Sequence, residues 1–167
     1  LLSANIEALR SDNTFTVCTA HQPNLLTGHL YFFYKIIHAV KLAQHLKAGS
    51  PEHNFVPVFY IGSEDNDLDE LGHFYFGEKK FTWETRQTGA VGRMNTQDLK
   101  PLIEELKQTL GPPNENTQRL NQVVSDAYEG KMTIAEATRN IIHAFLNDYG
   151  LVVLDADDAR LKRSFLP

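Results

Sequence analysis

The sequence predicts an α/β fold, a mostly parallel sheet flanked by helices in three layers. Three observations lead there. The apolar, β-branched runs "TFTVCTA", "FVPVFYIG" and "LVVLDAD" read as strands. Segments with helical apolar spacing separate them, "LYFFYKIIHAVKLAQHLK" being the clearest. Strands and helices also alternate along the chain, the order expected of a parallel sheet.

Residues 1–10 space Leu1, Ile6 and Leu9 loosely along one helical face. "TFTVCTA" lies between Asp12-Asn13 and Gln22-Pro23 and is expected to be a buried strand, with Cys18 acting as a small buried hydrophobe. The helix that follows places apolar residues at 30, 33, 36, 37 and 40, and Gly49-Ser50-Pro51 breaks it. "FVPVFYIG" is almost continuously apolar, the pattern of a strand covered on both faces. Pro57 within it predicts a bulge or a local edge. "HFYF" and "KFTWE" form two short strands across the turn "GEK". A helix is expected over 95–110 with its true start near Lys100, because Pro101 fits only a first turn. Two more helices follow, "NTQRLNQVVSDAY" and "TIAEATRNIIHAFLNDY", the second opened by a Thr133/Glu136 capping box and closed by Gly150.

The 167 residues suit a single domain, 1–167, able to bury a sizeable core. A net charge of −5 argues against a nucleic-acid surface, which needs clustered Lys and Arg. One cysteine allows no intrachain disulfide. No apolar run approaches the ~18 residues that span a membrane, and no signal peptide is legible. A cytoplasmic location is the expectation. The chain starts at Leu1 and stops on "LKRSFLP", which predicts a segment of a longer protein.

Ligands of open parallel sheets bind beyond the carboxyl ends of the strands. Three polar segments fall there: 21–29, 62–70 and 155–158. In the first, His21, Gln22, Asn24, Thr27, Gly28 and His29 stand where a strand hands over to a helix. Free amides at a helix start attract phosphate or carboxylate, and Gly28 would let such a ligand approach the backbone. His29 or His21 could stabilise charge on a transferring phosphoryl or adenylyl group. Lys35 is placed either to reach a phosphate or to extend to water. Thr27-Gly28-His29 is similar to the latter half of the His-x-Gly-His signature of nucleotidyltransferases, with Leu26 where the first histidine would be. In "GSEDNDLDELGH", Ser63, Glu64, Asp65 and Asp67 sit nearest the strand end, where carboxylates suit a substrate amine, general-base chemistry or Mg²⁺. Asp69 and Glu70 fit the first turn of a helix instead. Asp155 ends the last strand, ahead of a solvated helix start at "ADDARLKRS".

The blocks "LLTGHLYFFYKIIHAVKLAQHL", "FVPVFYIGSEDNDLDELGHFYF" and "GLVVLDADDARLKRSF" together resemble the amino-terminal, Rossmann-like part of the cysteine-adding enzyme family of bacillithiol biosynthesis. His21, His29 and Asn66 depart from the family pattern. The resemblance implies a ligase that joins cysteine to the amine of glucosaminyl malate after carboxyl activation. It implies ATP or another nucleotide, with Mg²⁺, and no nucleic-acid or membrane partner. It further implies a full-length homodimer held by a carboxyl-terminal coiled coil lying outside this chain. On that reading His21, His29, Asp65 and Asp67 are candidate catalytic groups. Gln22, Asn24, Thr27, Gly28, Lys35, Ser63, Glu64 and Asp155 are candidates for binding substrate or nucleotide. A nucleotidyltransferase of another substrate and a non-catalytic nucleotide-binding or assembly module are the alternatives.

Overall fold

The computed structural model describes residues 1–166. Its strands, in chain order, are β1 (Thr14–His21), β2 (Asn54–Ile61), β3 (His73–Phe76), β4 (Lys79–Thr82) and β5 (Val152–Asp155). The helices are α1 (Leu2–Ala8), α2 (Tyr31–Gly49), α3 (Leu68–Leu71), α4 (Lys100–Thr109), α5 (Glu115–Tyr128), α6 (Ile134–Leu146) and α7 (Ala159–Arg163). Two compact units result. One comprises Leu1–His21, Leu30–Gly62 and the chain from Phe145 onward; the other comprises Gln22–His29 and Ser63–Ala144.

The first unit is the expected α/β sheet: β1, β2 and β5 lie parallel in the order β1-β2-β5. On one face α2 presents Phe32, fully buried, edge-on to Phe59 with ring centroids 5.2 Å apart. On the other, Val56, Val58 and Val152 form a small core against Leu2 and Ala8 of α1. Burying one such apolar side chain contributes roughly 1.5–3 kcal/mol, so the central strand carries much of this unit's stability. Asn5 ties α1 to the turn before β5 by donating from Nδ2 to the Gly150 carbonyl at 2.6 Å.

One expectation changes here, and another is settled between its two alternatives. "TFTVCTA" is an edge strand, not a buried one: β1 pairs only with β2, and Cys18 is exposed beside Thr16 and Ala20. The short helix α1 packs near the start of the sheet and leaves the Cys18 side of β1 open. Pro57 lies in the central strand without a bulge, in register with Val17. It is tolerated because the ladder with β5 begins one residue later, at Val58, which makes position 57 a local edge on that side.

The second unit is built on the hairpin β3–β4, paired from His73↔Thr82 to Phe76↔Lys79. Gly77 leads its two-residue turn at φ 61°, the conformation that a II′ turn requires of its first central residue. Phe74 and Phe81 stack at 4.8 Å beneath the hairpin. The helix expected near Lys100 starts there, after a 3₁₀ turn at Gln97–Leu99. Helix α5 is opened by a reciprocal Asn114/Thr117 cap. The Thr133/Glu136 capping box forms as expected, Glu136 Oε2 accepting from the Thr133 amide at 2.8 Å and Thr133 Oγ1 from the Glu136 amide at 3.2 Å. Along α6, Ile134, Ala137, Ile141 and Ile142 are buried, one face of a 3.6-residue period.

Candidate functional site

The segment after β1 does not run straight into a helix. Leu25–Thr27 form a 3₁₀ turn, and α2 begins only at Tyr31. Leu26 and Thr27 both adopt left-handed backbone, at φ 49° and 71°, a conformation that costs a non-glycine residue about 1 kcal/mol or more. Local bonds hold it in place. The Thr27 amide donates to the Asn24 carbonyl at 2.9 Å and the Gly28 amide to the Leu25 carbonyl at 3.0 Å. The Leu26 amide donates to Tyr128 Oη at 2.8 Å. Tyr128 is buried, and burial pushes its phenol well above the usual range, so it stays neutral.

Gly28 therefore has a different reason from the one expected. Its amide is already paired, and a Cβ there would lie 2.8 Å from Asn24 Cβ. The residue is glycine because the chain turns over the Asn24 side chain. Thr27 is buried, whereas His29 is exposed. Asn24 is 6% exposed, and its Oδ1 is a buried acceptor with no hydrogen-bond partner among the described residues. An unpaired buried amide oxygen costs about 1–3 kcal/mol, so it marks a place where a donor is wanted.

The acidic stretch joins the same unit through side-chain bonds. Gln22 Nε2 donates to Asp65 Oδ2 at 3.2 Å, while Asp65 Oδ1 accepts from the Asp67 amide at 2.9 Å. Asp67 caps α3, its Oδ1 accepting from the Glu70 amide at 3.0 Å. Asp69 and Glu70 occupy that helix's first turn, as expected, and Glu64 is exposed. Ser63 is fully buried against Gly92, where a Cβ would come within 2.4 Å of Ser63 Cβ. The Gly92 amide donates to the Ser63 carbonyl at 3.2 Å and the Val91 amide to the Asp65 carbonyl at 2.7 Å. Among the described residues, no three of His, Cys, Asp and Glu converge as metal ligands.

In the first unit the strand ends line up: His21 is level with Ile61, and Ile61 with Asp155. The His21 ring lies 5.0 Å from that of Tyr31 and 5.7 Å from that of Phe32, an aromatic packing position. Lys35 is half-buried, and its Nζ donates to the Ala20 carbonyl at 2.6 Å. Asp155 Oδ1 accepts from the Asp157 amide at 3.0 Å. The solvated helix start beyond it is present as α7, with Asp158 as its cap.

The structure thus brings Gln22 and Asp65 together and sets Asn24 in the same loop as Gln22. It gives Thr27, Gly28, Ser63 and Asp67 conformational tasks. Sequence reasoning missed Tyr128 altogether, since a tyrosine at the end of an amphipathic helix carries no mark of a bond to a backbone amide 102 positions away. Gly92 was visible as a loop glycine, but its neighbour Ser63 was not.

Strand ends held level in a parallel sheet, with polar loops issuing from β1 and β2, define a Rossmann-like α/β domain of the ligand-binding kind. Residues 1–167 match the family described as bacillithiol biosynthesis BshC, N-terminal Rossmann-like domain, and the chain belongs to that family. It is 42% identical over 167 residues to a protein of Flavobacterium psychrophilum named "Putative cysteine ligase BshC", covering 100% of this chain and 31% of that protein. A Cytophaga hutchinsonii protein of the same name is 45% identical over 161 residues, 96% of this chain and 29% of its own length. One from Bacillus cereus is 30% identical over 171 residues, with 98% and 31% covered. The chain spans about a third of the length of these relatives. Among the described residues, no helix is long and apolar enough to cross a membrane.

Proposed function

We propose that this domain is the amino-terminal part of a ligase that joins the carboxyl group of cysteine to the amine of glucosaminyl malate. The observation that carries the assignment of residues is the buried, unpaired Oδ1 of Asn24, in the loop that also holds the Gln22–Asp65 bond. An amide oxygen and a carboxylate are acceptors only, the chemistry that receives an amine. Asn24 orients the amine through an N–H···O bond, and Asp65 takes a proton from its nitrogen as the carbon–nitrogen bond forms. The carbon–oxygen bond of the activated cysteine carboxyl breaks, and its electron pair leaves with the phosphate-type group. Gln22 positions the Asp65 carboxylate. Activation draws on ATP or another nucleotide, because a free carboxylate is inert to amines. The full-length protein acts in the cytoplasm as a homodimer through a coiled coil beyond this domain, a point that sedimentation of the full-length protein tests.

The chemical test is turnover by full-length protein carrying Asp65→Asn, with Asn24→Ala as a second variant and the amide product followed by mass spectrometry. Asp65→Asn keeps an oxygen for Gln22 but removes the basic group, so kcat should fall by roughly 10²–10⁴ with the fold retained. Wild-type turnover in both variants would refute the assignment.

A further inference from the structure

Among the described residues, the parallel sheet of the first unit has three stretches of strand with no neighbouring strand on one side. Very short edge strands, proline and charge are ordinary means of blunting such an edge against further pairing. Two of the three stretches carry them. Strand β5 is four residues long and ends on Asp155. The half of β2 that β5 does not reach contains Pro57, which has no N–H to offer. The third stretch, the outer edge of β1, has none of these devices. Thr14–His21 is eight residues long and contains no Lys, Arg, Asp, Glu, Pro or Gly. It runs in unbroken register with β2, so no bulge turns it away.

Backbone direction says what this edge presents. The His21 carbonyl accepts from the Gly62 amide at 2.8 Å and the Asn13 carbonyl from the Asn54 amide at 3.0 Å, so odd-numbered residues point their peptide groups at β2. Neighbouring residues of a strand point theirs to opposite sides. Even-numbered residues therefore point outward, and Ala20 does so, its carbonyl accepting from Lys35 Nζ at 2.6 Å. The Thr14 amide is tied as well, to the Ser11 carbonyl at 3.1 Å. Between these two ties the amides and carbonyls of Thr16 and Cys18 face outward, without a hydrogen-bond partner among the described residues. The side chains are open too: Phe15 is 51% exposed, and Thr16, Cys18 and Ala20 are exposed. An edge of this length and composition is a template for another strand. Its β-branched, uncharged sequence suits a strand with a neighbour on each side.

We infer that a strand of the same polypeptide, from the part outside residues 1–167, pairs with the outer edge of β1 at Thr16 and Cys18. The occupant follows from length. One relative matches 100% of this chain with 31% of its own, so about two thirds of such a polypeptide lies elsewhere. Being tethered, a segment of it meets the edge at a raised effective concentration, whereas a second copy must first associate. Lys35 sets the limit of the added strand, because it already occupies the Ala20 carbonyl. The inference rests on family membership and does not depend on the ligase chemistry.

Native-state amide exchange of the unsubstituted full-length protein, read residue by residue by mass spectrometry, is the first test. The amides of Val17 and Thr19 point at β2 and set the scale. With the edge covered, Thr16 and Cys18 should exchange within about 10-fold of them; with the edge open, the even-numbered pair should exchange faster by roughly 10²-fold or more. The second test irradiates full-length protein carrying Phe15→p-benzoylphenylalanine, a photoreactive residue close in shape to the one replaced. The expected product has the mass of one chain and joins residue 15 to a peptide outside residues 1–167. Alternating exchange along β1, a product with the mass of two chains, or a product confined to residues 1–167 would each overturn the inference. If the photoreactive variant does not fold, the exchange pattern of the unsubstituted protein decides alone.

Discussion

Replacing Gly28 by alanine separates two explanations of why the residue is glycine. If it serves only the approach of a ligand, Gly28→Ala lowers ligand affinity and leaves the free protein as stable as before. The geometry leads elsewhere. Gly28 has φ 65° and ψ −124°, a region almost closed to residues with a side chain, and occupying it costs about 1–3 kcal/mol. The new methyl would also lie 2.8 Å from Asn24 Cβ and 3.0 Å from Asn24 Cγ. Asn24 is buried and cannot swing aside, so overpacking adds another ~1–3 kcal/mol. The two sum to about 4 kcal/mol in the absence of any ligand. At ~2–4 °C per kcal/mol for a chain of this size, the unfolding midpoint should drop by roughly 8–16 °C. Differential scanning calorimetry of the ligand-free protein reads this directly. Gly49→Ala is the internal control: nothing lies within 4 Å of a Cβ there, and the residue is helical. That substitution should stabilise by about 0.4–1 kcal/mol. A Gly28→Ala protein that melts within a degree of the parent would refute the argument.

Tyr128→Phe removes the oxygen that receives the Leu26 amide and leaves that part-buried amide without a partner. A loss of about 1–3 kcal/mol in urea unfolding is expected, together with faster amide exchange at Leu26. Asp158 offers a pH test, because the Arg160 side chain and then the Arg160 amide hold its carboxyl down at about 2. A depressed carboxylate contributes stability above its unfolded value near 3.9 and loses it as pH falls toward 2. The group is half-buried and its Arg160 partner exposed, so the effect on global unfolding is small, and the carboxyl carbon's NMR titration is the proper readout. Arg160→Ala should raise its midpoint part of the way to the ordinary value; an unmoved midpoint would show that the pair does not form in solution.

Much of the architecture was legible because local rules and burial agreed. All five strands and the long helices follow from period and punctuation: β2 from its apolar run, α6 from its capping box and Gly150, the hairpin from "GEK". The exposure of Cys18 was not legible. Whether "TFTVCTA" is central or edge depends on which strand pairs with which, and composition does not encode that order. The site was legible in its polar character and less so in its division of labour. Asp67 reads from the sequence as a candidate base, and its bond to the Glu70 amide adds the task of capping a helix. Lys35 reads alike as an anion binder or as a side chain extending to water, and neither reading contains its bond to the Ala20 carbonyl. Long-range partners such as Leu26 and Tyr128, or Ser63 and Gly92, leave no trace in spacing.

The bonds that hold residues 63–65 carry a last implication. Gln22 grips the Asp65 carboxylate, and the amides of Val91 and Gly92 grip the carbonyls of Asp65 and Ser63, with no room at position 92 for even a methyl group. A stretch clamped by both its side chain and its backbone behaves as a shelf and does not hinge. It cannot fold down over a bound molecule, so any cover over a ligand held there would have to come from another segment.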